Sequence, residues 1–244
     1  MRHPIGFSTG FFYKIDRALA PAEKLRRLAR SSTEVLELHL SDLLDGDWNP
    51  TPEETELIGS FAYRSIHLPG YVRYPGPETK KMLTQLPRII EAVRPHTAVL
   101  HPDAVDDFQW VADTFAPFEC RLAVENMDWR KTVGITVESM RAAFERLPDA
   151  GWVFDVNHIY TLDPSMELGR QLYAAFSDRL VHYHVSGFGG PESLHACLAD
   201  THEDEILACV FDDGKPLVLE SVAEKTTEDP RVELEYIQSR LYNA

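Results

Sequence analysis

Eight acidic and imidazole side chains have the types and positions expected of ligands for divalent metal ions. Each ends a short apolar run or lies in the loop after one, and together they are His67, His101, Glu125, Asp155, His158, His184, His195 and Glu220. Converging buried carboxylates repel one another unless a cation or a partner neutralises them, and histidines supply neutral nitrogen ligands. Three carboxylates with five imidazoles favour a transition metal, because Ca²⁺ and Mg²⁺ prefer oxygen. We expect Zn²⁺, with Mn²⁺ or Fe²⁺ as alternatives.

Each of these residues has a simpler explanation when it is considered alone. A histidine at the end of a strand can be a hydrogen-bonded core residue, and a glutamate can form a salt bridge to a neighbouring strand. That explanation would have to hold at eight positions at once, so the pattern favours a metal site.

Short apolar runs of β type alternate with helical stretches along the whole chain. The predicted strands are residues 5–12, 35–40, 64–68, 97–101, 121–127, 152–158, 180–186 and 217–221. The predicted helices are residues 22–30, 52–61, 78–93, 106–115, 137–147, 166–176, 203–211 and 232–241. Eight β-then-α units in 244 residues predict one α/β domain, a near-minimal (β/α)8 TIM barrel over residues 1–244. An open doubly wound sheet is the alternative, but residues 8–12 do not form the glycine-rich loop it would normally carry.

The alternation of side chains along the strands directs the ionisable groups into the barrel. In the fifth strand Leu122 and Val124 would face the helices, which places Glu125 in the interior. The same argument places Glu37, Asp155 and Glu220 inside. In the seventh strand it points His182 and His184 inward, with His182 one layer deeper, and it points Val181, Tyr183 and Val185 outward. Active sites of this fold lie at the C-terminal ends of the strands, where these residues converge.

Charge and composition limit the classes of partner. The chain carries 39 acidic and 24 basic residues and a formal net charge of −15, which disfavours a nucleic-acid substrate. No apolar run approaches the roughly 18 residues that span a bilayer, and residues 1–4 lack an apolar signal core. We expect a cytoplasmic protein that acts on a small molecule, with no membrane association and reduced, unreactive thiols at Cys120, Cys197 and Cys209. The oligomeric state is not predicted.

Six short segments resemble the xylose isomerase-like barrel superfamily, which includes endonuclease IV and many sugar isomerases and epimerases. They are Ser-Ile-His-Leu-Pro at 65–69, Leu-His-Pro at 100–102, Val-Glu-Asn at 124–126, Phe-Asp-Val-Asn-His at 154–158, His-Val-Ser at 184–186 and Leu-Glu-Ser at 219–221. They occur in the family's order, on strands three to eight. Together the six segments are specific for the superfamily, but they say much less about which reaction the protein catalyses.

The resemblance implies roles for the candidate ligands. The superfamily's shared site of Glu, Asp, His and Glu matches Glu125, Asp155, His184 and Glu220. The isomerase and epimerase branch generally uses this one site, with the two glutamates as an acid–base pair. The endonuclease IV-like branch adds further ligands, which match His67, His101, His158 and His195.

One position departs from the endonuclease IV-like pattern. Ser193 stands where that branch has an aspartate two residues before the histidine, although Glu192 is adjacent and could replace it. A serine hydroxyl is a poor ligand for a divalent ion, so the third metal site is incomplete. We therefore expect about two metal ions per chain, bridged by Glu125.

Two reactions fit such a site. We expect hydrolysis of a phosphoester in a small compound, with Glu125 and Glu220 as catalytic residues; the alternative is a sugar or sugar-phosphate isomerase or epimerase. Repair of abasic DNA and a non-catalytic ligand-binding barrel are disfavoured. The candidate substrate contacts are Glu37, Arg73 and Arg130, with Lys14, Lys80 and Lys131 as further loop cations. His3, His96 and His202 are expected on the surface, and His39 is left unassigned.

Overall fold

Eight parallel strands close into a barrel in chain order, and β1 pairs with β8. The computed structural model describes residues 2–15, 19–41, 48–224 and 228–242. The strands are β1 Ile5–Ser8, β2 Val35–His39, β3 Tyr63–His67, β4 Thr97–Leu100, β5 Arg121–Glu125, β6 Gly151–Asp155, β7 Leu180–Val185 and β8 Leu217–Leu219. This closed parallel barrel confirms the predicted fold class.

Helices follow the strands and cover the outside of the barrel. They are α1 Pro21–Ser31, α2 Pro52–Gly59, α3 Pro77–Val93, α4 Phe108–Phe115, α5 Val137–Arg146, α6 Val156–Leu162, α7 Glu167–Phe176, α8 Leu198–Thr201 and α9 Pro230–Tyr242. Helix α2 begins where the sequence indicated, because Thr51 and Glu54 form a capping box ahead of Pro52. In the described part of the chain, no helix is both long and apolar enough to cross a membrane.

Several predicted strands end earlier than expected, and in two of them a side chain starts a new turn. The first ends at Ser8, whose hydroxyl accepts a hydrogen bond from the amide of Gly10 and opens a 3-10 turn, Thr9–Phe12. The sixth ends at Asp155, whose Oδ1 accepts the amide of His158 at 2.7 Å and so caps α6. The predicted helix 203–211 is a 3-10 stretch, Asp204–Cys209.

The orientation of Val181 was predicted wrongly. The register of β6 and β7 shifts at Trp152/Val153, so that Val153 pairs with His182 and Val181 is left at a bulge. Val181 consequently packs against the inner cluster of Val99, Ala123 and Val153 instead of the helices. His182 keeps its predicted inward position and is fully buried.

His3 was predicted on the surface and is buried. Its Nδ1 donates to the carbonyl of Lys215 at 2.7 Å, its amide donates to the hydroxyl of Tyr242, and its ring meets the edge of Tyr183. These partners come from the far end of the chain, which closes the barrel beside β1. His96 and His202 are exposed, as expected.

The three cysteines are unpaired, and Cys197 and Cys209 are buried. Burial raises the pKa of the Cys120 and Cys209 thiols to about 11 and raises that of Cys197 further. Thiolate is therefore scarce at neutral pH, which agrees with the expected lack of reactivity.

Candidate metal centre

A cavity of about 440 Å³ opens at the C-terminal ends of the strands. Its wall includes six of the eight predicted ligands, namely His67, His101, Glu125, His158, His195 and Glu220. The other two, Asp155 and His184, are fully buried beside it. The strand ends therefore bring all eight side chains to one place.

The eight residues form three overlapping groups whose possible ligand atoms lie within 4.8 Å of one another. The first group is His67, His101 and Glu125; the second is Glu125, Asp155, His184 and Glu220; the third is Asp155, His158 and His195. Glu125 is shared by the first and second groups, and Asp155 by the second and third. A fourth group of possible ligand atoms within the same distance combines Glu37 with His67, His184 and Glu220.

The two oxygens of Glu125 face different groups. Its Oε2 lies 3.2 Å from Nε2 of His67 and 3.1 Å from Nε2 of His101, whereas Oε1 lies 3.0 Å from Nδ1 of His184. Burial alone would raise the pKa of Glu125, but these histidines outweigh it and hold the pKa well below its usual range. A carboxylate shared in this way has the geometry of a bridge between two ions.

The second group holds more negative charge than its protein partners neutralise. Nδ1 of His184 lies 3.0 Å from Glu125 and 3.2 Å from Oε2 of Glu220. Burial, followed by the charges of Glu125 and Glu220, raises the pKa of Asp155 well above its usual range. The Oδ2 atom of Asp155 is buried and has no hydrogen-bond partner among the described residues. A divalent cation would satisfy this atom and relieve the repulsion, so the donor set fits such an ion.

The third group differs from the sequence expectation. His158 and His195 were expected to lack a carboxylate, but Asp155 reaches them. The hydroxyl of Ser193 donates to Glu224 at 2.7 Å, and Ser193 does not line the cavity. Glu192 is exposed and lies outside the described groups. Asp155 is thus the carboxylate available at this position, and the second group shares it.

Backbone carbonyls fix the tautomers of two candidate ligands. Nδ1 of His67 donates to the carbonyl of Leu68, and Nδ1 of His158 donates to the carbonyl of Asn126, both at 2.9 Å. In a neutral ring this leaves the free lone pair on Nε2, available to a metal. Metal-binding histidines commonly donate their other ring N–H in this manner. Without a metal, burial lowers the pKa of His67, but the hydrogen bond and charge of Glu125 outweigh burial and raise that pKa to about 9.

Room for His101 depends on Gly70. A Cβ atom at position 70 would lie 2.3 Å from Nδ1 of His101, which is far inside van der Waals contact. Any side chain here would displace the imidazole from Glu125, so the loop after β3 requires glycine at this position.

The proposed substrate contacts differ in their placement. Arg130 lines the cavity, where its guanidinium donates two hydrogen bonds to Asp128. Glu37 is fully buried and lies outside the cavity wall, so it contacts the histidines and not the open space. Arg73 is exposed, pairs with Asp106 and does not line the cavity.

Two of the three predicted loop lysines are engaged at the mouth, whereas Lys80 lies in α3, is exposed and does not line the cavity. Lys131 lines the cavity and donates to Asp103 at 2.7 Å, and Lys14 pairs with Glu224 near Ser193. Cationic groups are therefore present at the mouth, and each of these two is held by a carboxylate.

Sequence reasoning missed Asp128, which lines the cavity. It is almost fully buried, and its Oδ2 lies 4.0 Å from Nε2 of His158. Burial raises the pKa of this carboxyl, but hydrogen bonds from Arg130 outweigh burial and lower the pKa to about 2. The available signal was its position three residues after Glu125, just beyond β5.

His39, unassigned from the sequence, lies in the same cavity. Its ring stacks on that of His67, with centroids 4.7 Å apart. Burial lowers its pKa to about 4, and burial likewise lowers that of His195 to about 4. Both rings are consequently neutral near pH 7.

Comparison with known proteins gives one family and several related structures. A family model described as xylose isomerase-like TIM barrel matches residues 65–239, well over half of the chain. Endonuclease IV from Thermus thermophilus is 17% identical with a TM-score of 0.71, covering 99% of this chain and 100% of that one. The 3-keto-D-glucoside 4-epimerase of E. coli is 15% identical with a TM-score of 0.64, covering 98% and 100%.

A D-allulose 3-epimerase from Methylomonas sp. is 17% identical with a TM-score of 0.67, covering 98% of each chain. At such identities the similarity extends to the fold alone. No curated protein matches the sequence.

Proposed function

The chain belongs to the xylose isomerase-like TIM barrel family, and from this we propose a divalent-metal-dependent enzyme that hydrolyses a phosphoester in a small compound. The match confirms the resemblance carried by the six segments, which all lie within residues 65–239. The observation that carries the proposal is Glu125, which presents one oxygen to His67 and His101 and the other to His184.

Two ions would share Glu125 and would otherwise be held by different residues. His67, His101 and Glu125 would hold the first, and Glu125, Asp155, His184 and Glu220 the second. When bound, such a pair supplies an activated water and stabilises the leaving oxygen of a phosphoester. We propose Zn²⁺ for both positions, with Mn²⁺ or Fe²⁺ as alternatives, because imidazole and carboxylate ligands suit these metals.

The chain's own residues would bind and orient the substrate. Arg130 and Lys131 place two cationic groups on the cavity wall, where a phosphate could meet them. Glu220 contacts His184 and also faces the cavity, so it is positioned to accept a proton from the reacting group. His39 offers a neutral imidazole on the same wall. The small cavity and the net charge of −15 support a small-molecule substrate and disfavour nucleic acid; we also propose a cytoplasmic location.

The second candidate function is a sugar or sugar-phosphate isomerase or epimerase. Glu125 and Glu220 both lie within about 3.2 Å of His184 Nδ1, so the two carboxylates flank one ion position and could exchange a proton with substrate. The sugar epimerases among the similar structures and the ion pairs that engage Arg130 and Lys131 favour this reading. It requires one metal instead of two.

One assay separates the two functions. The purified protein, loaded with Zn²⁺ or Mn²⁺, is incubated with a panel of small phosphomonoesters and, separately, with a panel of ketoses. We expect release of inorganic phosphate that a chelator abolishes and the metal restores. Epimerised ketose by NMR without phosphate release would support the alternative. A protein that binds metal but neither releases phosphate nor epimerises any ketose on broad panels would contradict both proposed functions.

A further inference from the structure

His184 presents its two nitrogens to different surroundings. Nδ1 faces the catalytic carboxylates, at 3.0 Å from Glu125 and 3.2 Å from Glu220. Nε2 points away from them, at 3.3 Å from Glu37 and 3.1 Å from Nε2 of His182. A neutral imidazole carries one proton, so Nδ1 can offer its lone pair to a metal only when the proton is on Nε2.

Glu37 is positioned to accept a hydrogen bond from this Nε2–H group of His184. Its carboxylate is fully buried, so the negative charge must be met by donors within the protein. Ser65 donates to its Oε2 at 2.8 Å, and the same oxygen lies 3.3 Å from Nε2 of His184. Its Oε1 also lies 3.3 Å from that nitrogen but forms no hydrogen bond with the described residues. The ionic partners found for Glu37 among the described residues are His182 and His184. An ionised carboxylate only accepts, so it favours the protonated nitrogen at this position.

His182 supports the same arrangement. When His184 carries its proton on Nε2, the facing Nε2 of His182 must accept, which puts the His182 proton on Nδ1. That Nδ1 lies 2.8 Å from the hydroxyl of Tyr63, which in turn lies 2.8 Å from Oγ1 of Thr97. The contacts from His182 to Tyr63 and from Tyr63 to Thr97 then each have one donor. The unprotonated Nε2 of His182 lies 3.5 Å from Oε2 of Glu37, farther than Nε2 of His184 at 3.3 Å. The opposite tautomer of His184 would donate its proton to Glu125 at 3.0 Å and leave Glu37 without this donor. A metal bound at Nδ1 excludes that tautomer, so the proton on Nε2 is expected in the metal-loaded site.

We propose that Glu37 is a positioning residue, which holds the proton of His184 on Nε2 and thereby presents Nδ1 as the metal ligand. The inference rests on the proposed metal site and adds a specific dependence. His67 and His158 are fixed by backbone carbonyls, whereas His184 is fixed by side chains. Loss of Glu37 should therefore lower the affinity for the ion held by Glu125, Asp155, His184 and Glu220. The affinity for the ion held by His67 and His101 should not change.

The first test is Glu37→Gln, which keeps the size of the side chain and removes its charge. Affinity is measured by competition with a chromophoric chelator, in the full chain and in a His67→Ala/His101→Ala background that retains one site. Loss of such a supporting carboxylate lowers metal affinity about 10- to 100-fold, and we expect this effect in both settings. The matched control is Glu54→Gln, another buried glutamate, which caps α2 through Thr51 and lies outside the ligand groups and the cavity wall. It should leave affinity unchanged.

A second measurement needs no variant. In the unaltered protein loaded with Zn²⁺, two-bond proton–nitrogen correlation spectra report the tautomer of each histidine ring. We expect His184 with a proton on Nε2 and a metal-shifted Nδ1. Either of two results would overturn the inference and leave the proposed function standing. One is a proton on Nδ1 of His184; the other is unchanged metal affinity in Glu37→Gln when the parent protein binds metal. A parent protein that binds no metal would overturn the proposed function itself.

Discussion

The Oε2 atom of Glu125 lies 3.1 Å from Nε2 of His101, at the wall of the cavity. His67 approaches the same oxygen at 3.2 Å through Nε2, because its Nδ1 donates to the carbonyl of Leu68. One carboxylate oxygen and two imidazoles give three protein ligands with a side open to the cavity, which is the usual composition of a catalytic zinc site.

The double variant His67→Ala/His101→Ala should lose about one metal equivalent per chain, because one of the two proposed sites would retain a single ligand. Plasma mass spectrometry after dialysis measures the loss. The matched control is His96→Ala/His202→Ala, which removes two exposed histidines outside the described ligand groups. Unchanged metal content in the first variant would favour the one-metal isomerase or epimerase.

Glu125→Gln and Glu220→Gln should each lower turnover by at least about 100-fold, since both carboxylates face the cavity and touch His184. Their strands pack outward through Val124 and Leu219, so the barrel should stay folded, as circular dichroism can verify. Glu224→Gln, on a half-exposed side chain outside the cavity wall, should retain activity. Near-normal turnover in either site variant would show that the catalytic assignment is wrong.

The convergence of the ligands at the strand ends could be predicted because strand geometry determines it, whereas His158 in α6 and His195 in the loop after β7 were assigned from the family resemblance. Residues two apart share a face, and parallel strands in a closed barrel end on one rim, so Glu125 and Glu220 had to meet there. The bulge that turns Val181 inward could not be predicted. A bulge inserts one residue and leaves the apolar pattern almost unchanged.

The positions of the loop side chains could not be predicted from the sequence either. Arg73 and Arg130 look alike in the sequence, but Asp106 holds the first on the outer surface, whereas Asp128 holds the second in the cavity. The burial of His3 arises from contacts with residues more than 200 positions away. Such long-range packing leaves no periodic signal near the residue itself.

We expect negligible binding to duplex DNA at physiological salt. The net charge of −15 opposes the phosphate backbone before any specific contact forms. Gel shifts and nicking assays on an oligonucleotide with one abasic site measure this directly. Endonuclease IV from Thermus thermophilus, whose barrel is similar, is the positive control. Specific nicking at catalytic amounts of this protein would instead support DNA repair.

Asp128→Asn should destabilise the metal-free protein at neutral pH. Burial raises the pKa of Asp128, but bonds from Arg130 outweigh it and leave a pKa of about 2, below the usual 3.8. A lowered pKa stabilises the fold above pH 3.8, and this contribution disappears as the pH falls through about 2. We expect a loss of about 1 kcal/mol in unfolding free energy at pH 7 that shrinks below pH 4. Urea titrations measure it, with the exposed Asp149→Asn as control; a pH-independent difference would contradict the assignment.

The number of bound ions depends on Asp155, because two groups share it. Its Oδ1 already accepts the amide of His158, so Oδ2 is its uncommitted oxygen. If Oδ2 serves the ion beside Glu125 and Glu220, the third position keeps only His158 and His195. Two imidazoles fall short of the three protein ligands usual for catalytic zinc. We therefore expect two tightly held ions per chain and a weak third position.

Anomalous scattering from crystals grown with Zn²⁺ counts these ions. Adding a carboxylate should fill the third position, but Ser193 lies 2.7 Å from an oxygen of Glu224, and an aspartate there would repel it. The variant Ser193→Asp/Glu224→Gln removes that repulsion, frees the new carboxylate to turn toward His195 and should bind one more ion than Glu224→Gln alone. Three fully occupied ions in the unaltered protein would refute the argument. Either Asp155 would then serve two ions, or Asp128, whose Oδ2 lies 4.0 Å from Nε2 of His158, would serve the third.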